Sequence, residues 1–277
     1  MPELPEVETV KRGLNRLAQG IQVRDVQVLW PAIIQAPAGV DDFIQRMPGQ
    51  VLEYVDRRGK YLLFYWTEDL WISHLRMEGK YLLPNSEEPV DKYSHVILHL
   101  SDGRDLRYRD VRKFGRIKLY PKDQADQAIA DLNLGPEPGD LQLSDLASAF
   151  AKTQRVVKAC LLDQSIVAGL GNIYVDEVLF AAKIHPERLA QSLSHVELSR
   201  LVQAIQQIIS QAVAKGGTTV RTYTNALGEN GHYQEDLKVY GKAGQACPRC
   251  HTPIEKIKLA QRGTHFCPYC QRREVND

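Results

Sequence analysis

Four cysteines near the end of the chain constrain it most: Cys247-x₂-Cys250-x₁₆-Cys267-x₂-Cys270. Two Cys-x₂-Cys pairs around a short insert have the spacing of a zinc ribbon or finger, in which four thiolates close a tetrahedral metal site. Such a site leaves no open position for substrate, so one Zn²⁺ here is structural. Two disulfides or four free thiols are the alternatives. The N-terminus lacks a basic stretch, an apolar run and a small-residue cleavage site, which argues against an oxidising destination and so against disulfides. Between the pairs, Ile254, Ile257 and Leu259 mark a strand, Gln261-Arg262-Gly263-Thr264 a turn, and His265-Phe266 a return strand. An arginine at the tip of that hairpin suits a phosphate or a minor groove, although an exposed turn arginine is the more ordinary reading. The fifth cysteine, Cys160, sits in an apolar Val-Val-Lys-Ala-Cys-Leu-Leu run and reads as a buried helix residue.

The other end is Met1-Pro2-Glu3. If Met1 is removed, the proline α-nitrogen becomes a secondary amine that can attack an aldehyde-like carbon. The resulting iminium carries a fixed positive charge and acts as an electron sink. A glutamate beside it can donate or accept a proton, so the pair is a candidate nucleophile with its acid/base partner.

The 277 residues suffice for two domains. Apolar content of 43% and charged content of 25% are those of a globular protein, with no apolar run long enough to span a bilayer; the expected location is the cytoplasm. Net charge is only +1, but it is segregated. Arg104, Arg107, Arg109, Arg112, Lys113, Arg116, Lys118 and Lys122 face two acidic residues in 104–122. The segment 237–277 is also basic, and 123–147 carries acidic residues with no Lys or Arg. Basic blocks of this kind form a footprint for a polyanion, or simply two solvated faces.

Helical spacing of Val7, Val10, Leu14, Leu17 and Ala18 follows Pro5, which suits a first helical turn. From 21 to 120 the period changes to two. Strand-like runs lie at 51–55, 61–66, 70–75, 95–100 and 104–109, with a tight turn at Asp102-Gly103. The prediction is an α+β fold: an N-terminal helix with a β-sandwich of about seven or eight strands over 1–132, and a Pro/Gly-rich linker over 133–144. A helical domain follows over 145–236, then a zinc-finger β-hairpin over 237–277. Within the helical part, 145–162 is expected as one helix and 172–182 as another. A long helix capped by Ser194 and Glu197 ends at Gly216-Gly217.

Further candidates are individually weak. Lys60 follows a turn-forming glycine and is either a phosphate contact, a proton carrier or a plain surface lysine. Gly169-Leu170-Gly171-Asn172 opens a helix, where free N–H groups favour an anion, but Asn172 equally reads as an ordinary cap. Met77, Arg112 and Phe114 are suited to wedging between bases or pairing with an exposed base edge, although Met and Phe are more often core.

Taken in order, Pro-Glu-Leu-Pro-Glu-Val-Glu-Thr at 2–9, Gly-Lys-Tyr-Leu at 59–62 and His-Leu-Arg-Met-Glu-Gly at 74–79 form a pattern. Arg-Lys-Phe-Gly at 112–115, Leu-Gly-Pro-Glu-Pro at 134–138 and Gly-Leu-Gly-Asn-Ile-Tyr at 169–174 continue it. Gly-Gly-Thr-Thr at 216–219, Val-Tyr-Gly at 239–241 and the four cysteines complete it. Over essentially the whole chain this resembles the bacterial formamidopyrimidine-DNA glycosylases. The resemblance implies a bifunctional base-excision enzyme, a glycosylase and abasic-site lyase that flips oxidised purines such as 8-oxoguanine out of duplex DNA. By matching position, Pro2 would be the nucleophile and Glu3 the general acid/base, with Lys60 and Arg262 assisting β- and δ-elimination. Met77, Arg112 and Phe114 would fill the hole left by the flipped nucleotide. The helical domain would be a helix–two-turn–helix DNA-binding domain, whose Asn172 would clamp phosphates together with Arg262, and Tyr93, Lys158 and Tyr240 would add DNA contacts. Tyr93 stands where some relatives carry histidine. Thr219, Val220, Arg221, Thr222 and Tyr223 resemble a loop that closes over the lesion base, and Glu6 and Glu177 are supporting carboxylates. The implied partner is double-stranded DNA with oxidised bases or abasic sites, bound by a monomer. An endonuclease VIII-like enzyme for oxidised pyrimidines is the near rival, disfavoured by Leu4 and the Met77/Arg112/Phe114 set. A non-catalytic zinc-dependent DNA-binding protein is the distant one.

Overall fold

The structure is a computed structural model and describes residues 1–35, 37–218 and 231–273. The chain divides into two compact units. The first is Met1–Leu132 with Gly216–His232; the second is Asn133–Lys215 with Tyr233–Asp277.

The first unit opens with α1 (Leu4–Ala18), whose Pro5 lies in the first turn and whose Glu3 caps the N-terminus in a reciprocal pair with Glu6. Nine strands follow among the described residues: β1 (Val23–Val28), β2 (Ile34–Gln35), β3 (Leu52–Arg58), β4 (Tyr61–Trp66), β5 (Asp69–His74), β6 (Lys80–Leu82), β7 (Ser94–Leu100), β8 (Asp105–Arg109) and β9 (Arg116–Pro121). They form a four-stranded sheet in the order β1-β7-β8-β6 and a five-stranded sheet in the order β2-β9-β5-β4-β3. One core joins Val7, Val10 and Leu14 of α1 to Val96, Leu98 and Leu106 of the first sheet and Phe64, Trp71 and Ile117 of the second. This is the expected helix-covered sandwich.

Two details depart from simple alternation. β5 is buried along its whole length, because Leu70 and Ile72 pack under α3 (Ala125–Ala130) while Trp71 faces the sandwich core. A short helix, α2 (Val40–Arg46), interrupts the strands after Gly39, with Asp41 and Asp42 in its first turn; a period of two gave no sign of it.

The second unit contains α4 (Leu143–Ala151), α5 (Val157–Leu161), α6 (Asn172–Ala182) and α7 (His195–Ala214). The single helix expected over 145–162 is therefore two. Thr153 Oγ1 accepts the Arg155 N–H at 3.2 Å, and Val156 makes an isolated bridge to Leu189. Both draw the backbone away from helical pairing. Residues 133–142 are packed rather than loose: Gly135 donates its N–H to Gln164 O at 2.9 Å, and Ala168 donates to Pro136 O at 3.0 Å. The hairpin consists of β10 (Glu255–Leu259) and β11 (Arg262–Phe266), paired from Glu255↔Phe266 to Leu259↔Arg262. Its turn is Ala260-Gln261, both at positive φ (48° and 58°), as a two-residue turn matched to strand twist requires. The turn thus precedes the expected one at Gln261–Thr264, and Arg262 is the first residue of β11.

Candidate active site

Pro2 is buried, and Glu3 is 3% exposed. α1 positions both. The Glu3 N–H donates to Glu6 Oε2 at 2.8 Å. The other Glu6 oxygen accepts the Thr218 N–H at 2.7 Å and lies 3.1 Å from the Thr218 hydroxyl. A Cβ on Gly217 (φ +79°) would come within 2.5 Å of Glu6 Oε1, so only glycine lets the chain pass so near that carboxylate. Glu6 thereby ties the Pro2-Glu3 segment to the residues leading into 219–230. Thr219, Val220, Arg221, Thr222 and Tyr223, expected as a loop over the lesion base, lie outside the described residues.

Lys60 is 6% exposed and enters β4 after Gly59 (φ +56°). His74, at the end of β5, packs edge-on to Tyr61. Burial, reinforced by the Arg76 and Lys60 charges, holds its imidazole down at about 3. Its Nδ1 accepts the Arg76 N–H at 2.9 Å, which places the proton of the neutral ring on Nε2. In the sequence His74 only opens the His-Leu-Arg-Met-Glu-Gly run at 74–79, and its spacing marks no part for it.

Met77 and the Arg112/Phe114 pair stand on two loops that meet at one residue. A Cβ on Gly79 or on Gly115 would collide with the Tyr108 side chain, so both loops press against it. Buried Asp110 shapes the second loop by accepting the N–H groups of Arg112 at 2.9 Å and of Phe114 and Gly115 at 2.8 Å each. Phe114 is left 44% exposed with the Arg112 guanidinium 4.6 Å over its ring. An exposed aromatic on a loop this tightly fixed is not core. The Tyr93 ring lies 4.9 Å from the Arg109 guanidinium. Asp110 itself was invisible to sequence reasoning, since a carboxylate that accepts main-chain N–H groups has no spacing signature.

In the second unit α6 is the common support. Glu177, 3% exposed, accepts the N–H groups of Lys238 at 2.8 Å, Val239 at 2.9 Å and Tyr240 at 2.8 Å. Burial nevertheless pushes its carboxyl above the ordinary range. Tyr240 packs edge-on to His265. Asn172 is the first helical residue rather than the cap, which is Gly171, and its Nδ2 donates to Gly263 O at 2.9 Å. Arg262 is exposed. Lys158, expected as a further DNA contact, is fully buried, and its ammonium bonds Asp176 Oδ1 at 2.6 Å and Thr264 Oγ1 at 2.8 Å.

The Sγ atoms of Cys247, Cys250, Cys267 and Cys270 all lie within 4.8 Å of one another. The Cys247–Cys270 and Cys250–Cys267 separations are 3.9 and 3.4 Å, close to the ~3.8 Å set by tetrahedral Zn–S bonds. The N–H groups of Arg249 and Cys270 point at Cys247 and Cys267 sulfurs, each at 3.4 Å, as suits thiolates. The donor set fits one structural zinc. One knuckle is pinned to the last turn of α6 and the other to the chain just beyond it. Arg249 donates to Phe180 O at 2.7 Å, and Gln271 joins Cys267 N–H to Ile184 O, each at 2.9 Å.

Family models match three stretches: the formamidopyrimidine-DNA glycosylase N-terminal domain over 1–117, its H2TH domain over 134–224, and the zinc finger found in FPG and IleRS over 244–273. The formamidopyrimidine-DNA glycosylase of Enterococcus faecalis is 51% identical, covering 98% of each chain. That of Geobacillus kaustophilus is 52% identical, covering 98% of this chain and all of its own. The chain belongs to the formamidopyrimidine-DNA glycosylase family. Among solved structures, the Lactococcus lactis family member bound to abasic-site DNA is 41% identical with a TM-score of 0.92, covering 98% of this chain and 99% of its own. A mutant of that enzyme bound to Fapy-dG DNA is 40% identical with a TM-score of 0.93, covering 98% of this chain and all of its own.

Proposed function

We propose that this chain excises oxidised purines from duplex DNA through a Pro2 Schiff base and then cleaves the strand by β,δ-elimination. Removal of oxidised purines in base excision repair is the glycosylase activity of its family, and the relatives' solved complexes contain Fapy-dG or abasic-site DNA. The cytoplasm is the compartment we assign to it.

The observation that carries the residue assignment is the buried Pro2-Glu3 pair at the head of α1, held through Glu6. With Met1 attached the Pro2 nitrogen is an amide; its removal frees the amine. That amine attacks C1′ and the glycosidic bond breaks, releasing the base. Glu3 protonates the ring oxygen as the sugar opens, leaving an iminium. The iminium acidifies the C2′ proton, whose loss expels the 3′ phosphate; a second elimination expels the 5′ phosphate. Lys60 and Arg262 serve the two eliminations. Met77, Arg112 and Phe114 occupy the space of the extruded nucleotide, and an exposed Phe114 under Arg112 suits that part. Tyr93, Asn172, Tyr240 and Arg262 hold the flanking backbone, and residues 219–223 cover the base. The bound zinc supplies folding free energy to the hairpin that carries Arg262.

Borohydride reduction of the processed protein on abasic-site DNA tests this. A covalent adduct through residue 2 is the expected result, and none forming from a chain whose intact mass confirms loss of Met1 would refute the mechanism. Faster excision of 8-oxoguanine than of thymine glycol separates purine from pyrimidine specificity.

A further inference from the structure

Arg262 begins a strand whose turn does little to hold it. Ala260 and Gln261 both adopt the left-handed backbone region without being glycine, where the Cβ crowds the following carbonyl. What fixes the start of β11 lies on the helices. Thr264 Oγ1 donates to the Arg262 carbonyl at 3.3 Å and accepts from Lys158 Nζ at 2.8 Å. Lys158 Nζ also reaches Gly263 O at 3.4 Å and Asp176 Oδ1 at 2.6 Å. Asp176 Oδ2 accepts the His265 N–H at 2.8 Å, and Asn172 Nδ2 holds Gly263 O at 2.9 Å. The side chains of Lys158 and Asp176 are both 0% exposed.

A buried ion pair is a weak source of stability, because desolvation offsets its attraction. Its use here is geometric. Three consecutive residues of β11 each receive a bond from this cluster, and Arg262 receives one through Thr264. We propose that Asp176, Lys158 and Thr264 form a positioning relay that sets the backbone of Arg262 against DNA phosphate, with Lys158 acting inside the protein rather than as a DNA contact. The relay rests on the reading of Arg262 as a phosphate clamp.

Thr264→Val removes the hydroxyl link at nearly constant volume while leaving the ion pair, and Thr264→Ser keeps the link. Binding to a duplex carrying a tetrahydrofuran abasic-site analogue is measured across a salt series. Thr264→Val weakens binding about ten-fold, the loss of one charge-assisted contact, and lowers the slope of log K against log salt by about 0.9. Thr264→Ser restores both. Arg262→Ala shows the same two effects, and adding Thr264→Val to it changes affinity less than about two-fold, because the residues act in series. The apolar pair Lys158→Met/Asp176→Leu stays folded with one zinc per chain and matches Thr264→Val. A wild-type affinity and salt slope in Thr264→Val, beside a weakened Arg262→Ala, would overturn the relay alone. Simple addition of the two losses would also overturn it. A wild-type result for Arg262→Ala would overturn the clamp reading, and the relay with it.

Discussion

Buried carboxylates collect main-chain N–H groups in both units, as Glu177 does for residues 238–240, but the two ends of the chain distribute their anchors differently. At the N-terminal end, acidic side chains collect main-chain N–H groups: Glu6 takes those of Glu3 and Thr218, and Asp110 takes three from its own loop. These anchors stand on a β framework whose hydrophobic core does not include them. At the C-terminal end almost every anchor runs to one helix. α6 holds the hairpin through Asn172 and Asp176, the segment 238–240 through Glu177, and one cysteine knuckle through a carbonyl in its last turn. The buried hydrophobic cluster around the cysteines is small, comprising Phe180, Val239, Cys247, Ile254 and Cys267. A metal and a polar network stand in for a core there. The surroundings of the proposed nucleophile should therefore tolerate loss of chemistry without loss of fold, whereas the hairpin should lose fold and DNA grip together.

Glu3→Gln breaks the comparison hardest if it fails. The amide keeps the volume and an acceptor for the N-terminus of α1 but removes the ionisable group. Base excision should fall by about 10²–10⁴-fold, the range for a general acid or base, with an unchanged melting temperature. A parallel drop in stability would mean that the carboxylate is there to cap the helix.

Zinc removal by a chelator comes next. Duplex affinity should fall at least about 100-fold, since structural zinc contributes folding free energy directly. Calorimetry should show the transition of the first unit unshifted. One cooperative transition moving as a whole would erase the proposed division.

The residues most legible in sequence are those whose spacing is itself the signal. The cysteines announce a metal site, and the helical and two-residue periods separate α1 and α7 from the sandwich. The roles proposed for Pro2, Glu3 and Arg262 come from the family resemblance. What stayed hidden has physical causes. α2 is one short helix in a strand-rich stretch, and at the break over 152–156 the Thr153 side chain accepts the Arg155 N–H. The hairpin turn was displaced because Ala260 and Gln261 carry no glycine to mark positive φ. Lys158 looks the same in sequence whether it meets a phosphate or Asp176; only burial distinguishes the two. Asp110 and Thr264 act through backbone atoms, which the sequence does not display.

Titration offers a subtler probe of the first unit. His74 is held down at about 3, chiefly by burial and further by Arg76 and Lys60, against about 6.5 in the unfolded chain. Between those values the unfolded state binds a proton that the folded state refuses, so stability declines as pH falls from about 6.5 towards 3. The slope is up to about 1.4 kcal/mol per pH unit. His74→Gln should flatten this slope in the transition of the first unit and leave the zinc-dependent one alone. A slope unchanged by the substitution would assign the acid sensitivity elsewhere.

The smallest effect concerns the turn that the second unit leaves strained. Gln261 has φ 58° and is exposed, and it directly precedes Arg262. Glycine adopts that conformation without the Cβ penalty and is favoured at the second position of a two-residue hairpin turn. Gln261→Gly should raise the denaturation midpoint of the zinc-dependent transition, a gain of about 0.5–1 kcal/mol. It should leave DNA affinity within about two-fold, because Thr264 and the helix side chains, not the turn, place Arg262. A loss of affinity with a gain in stability would reverse that assignment: the strained turn would then be the element that aims the arginine, and α6 only the surface on which it rests.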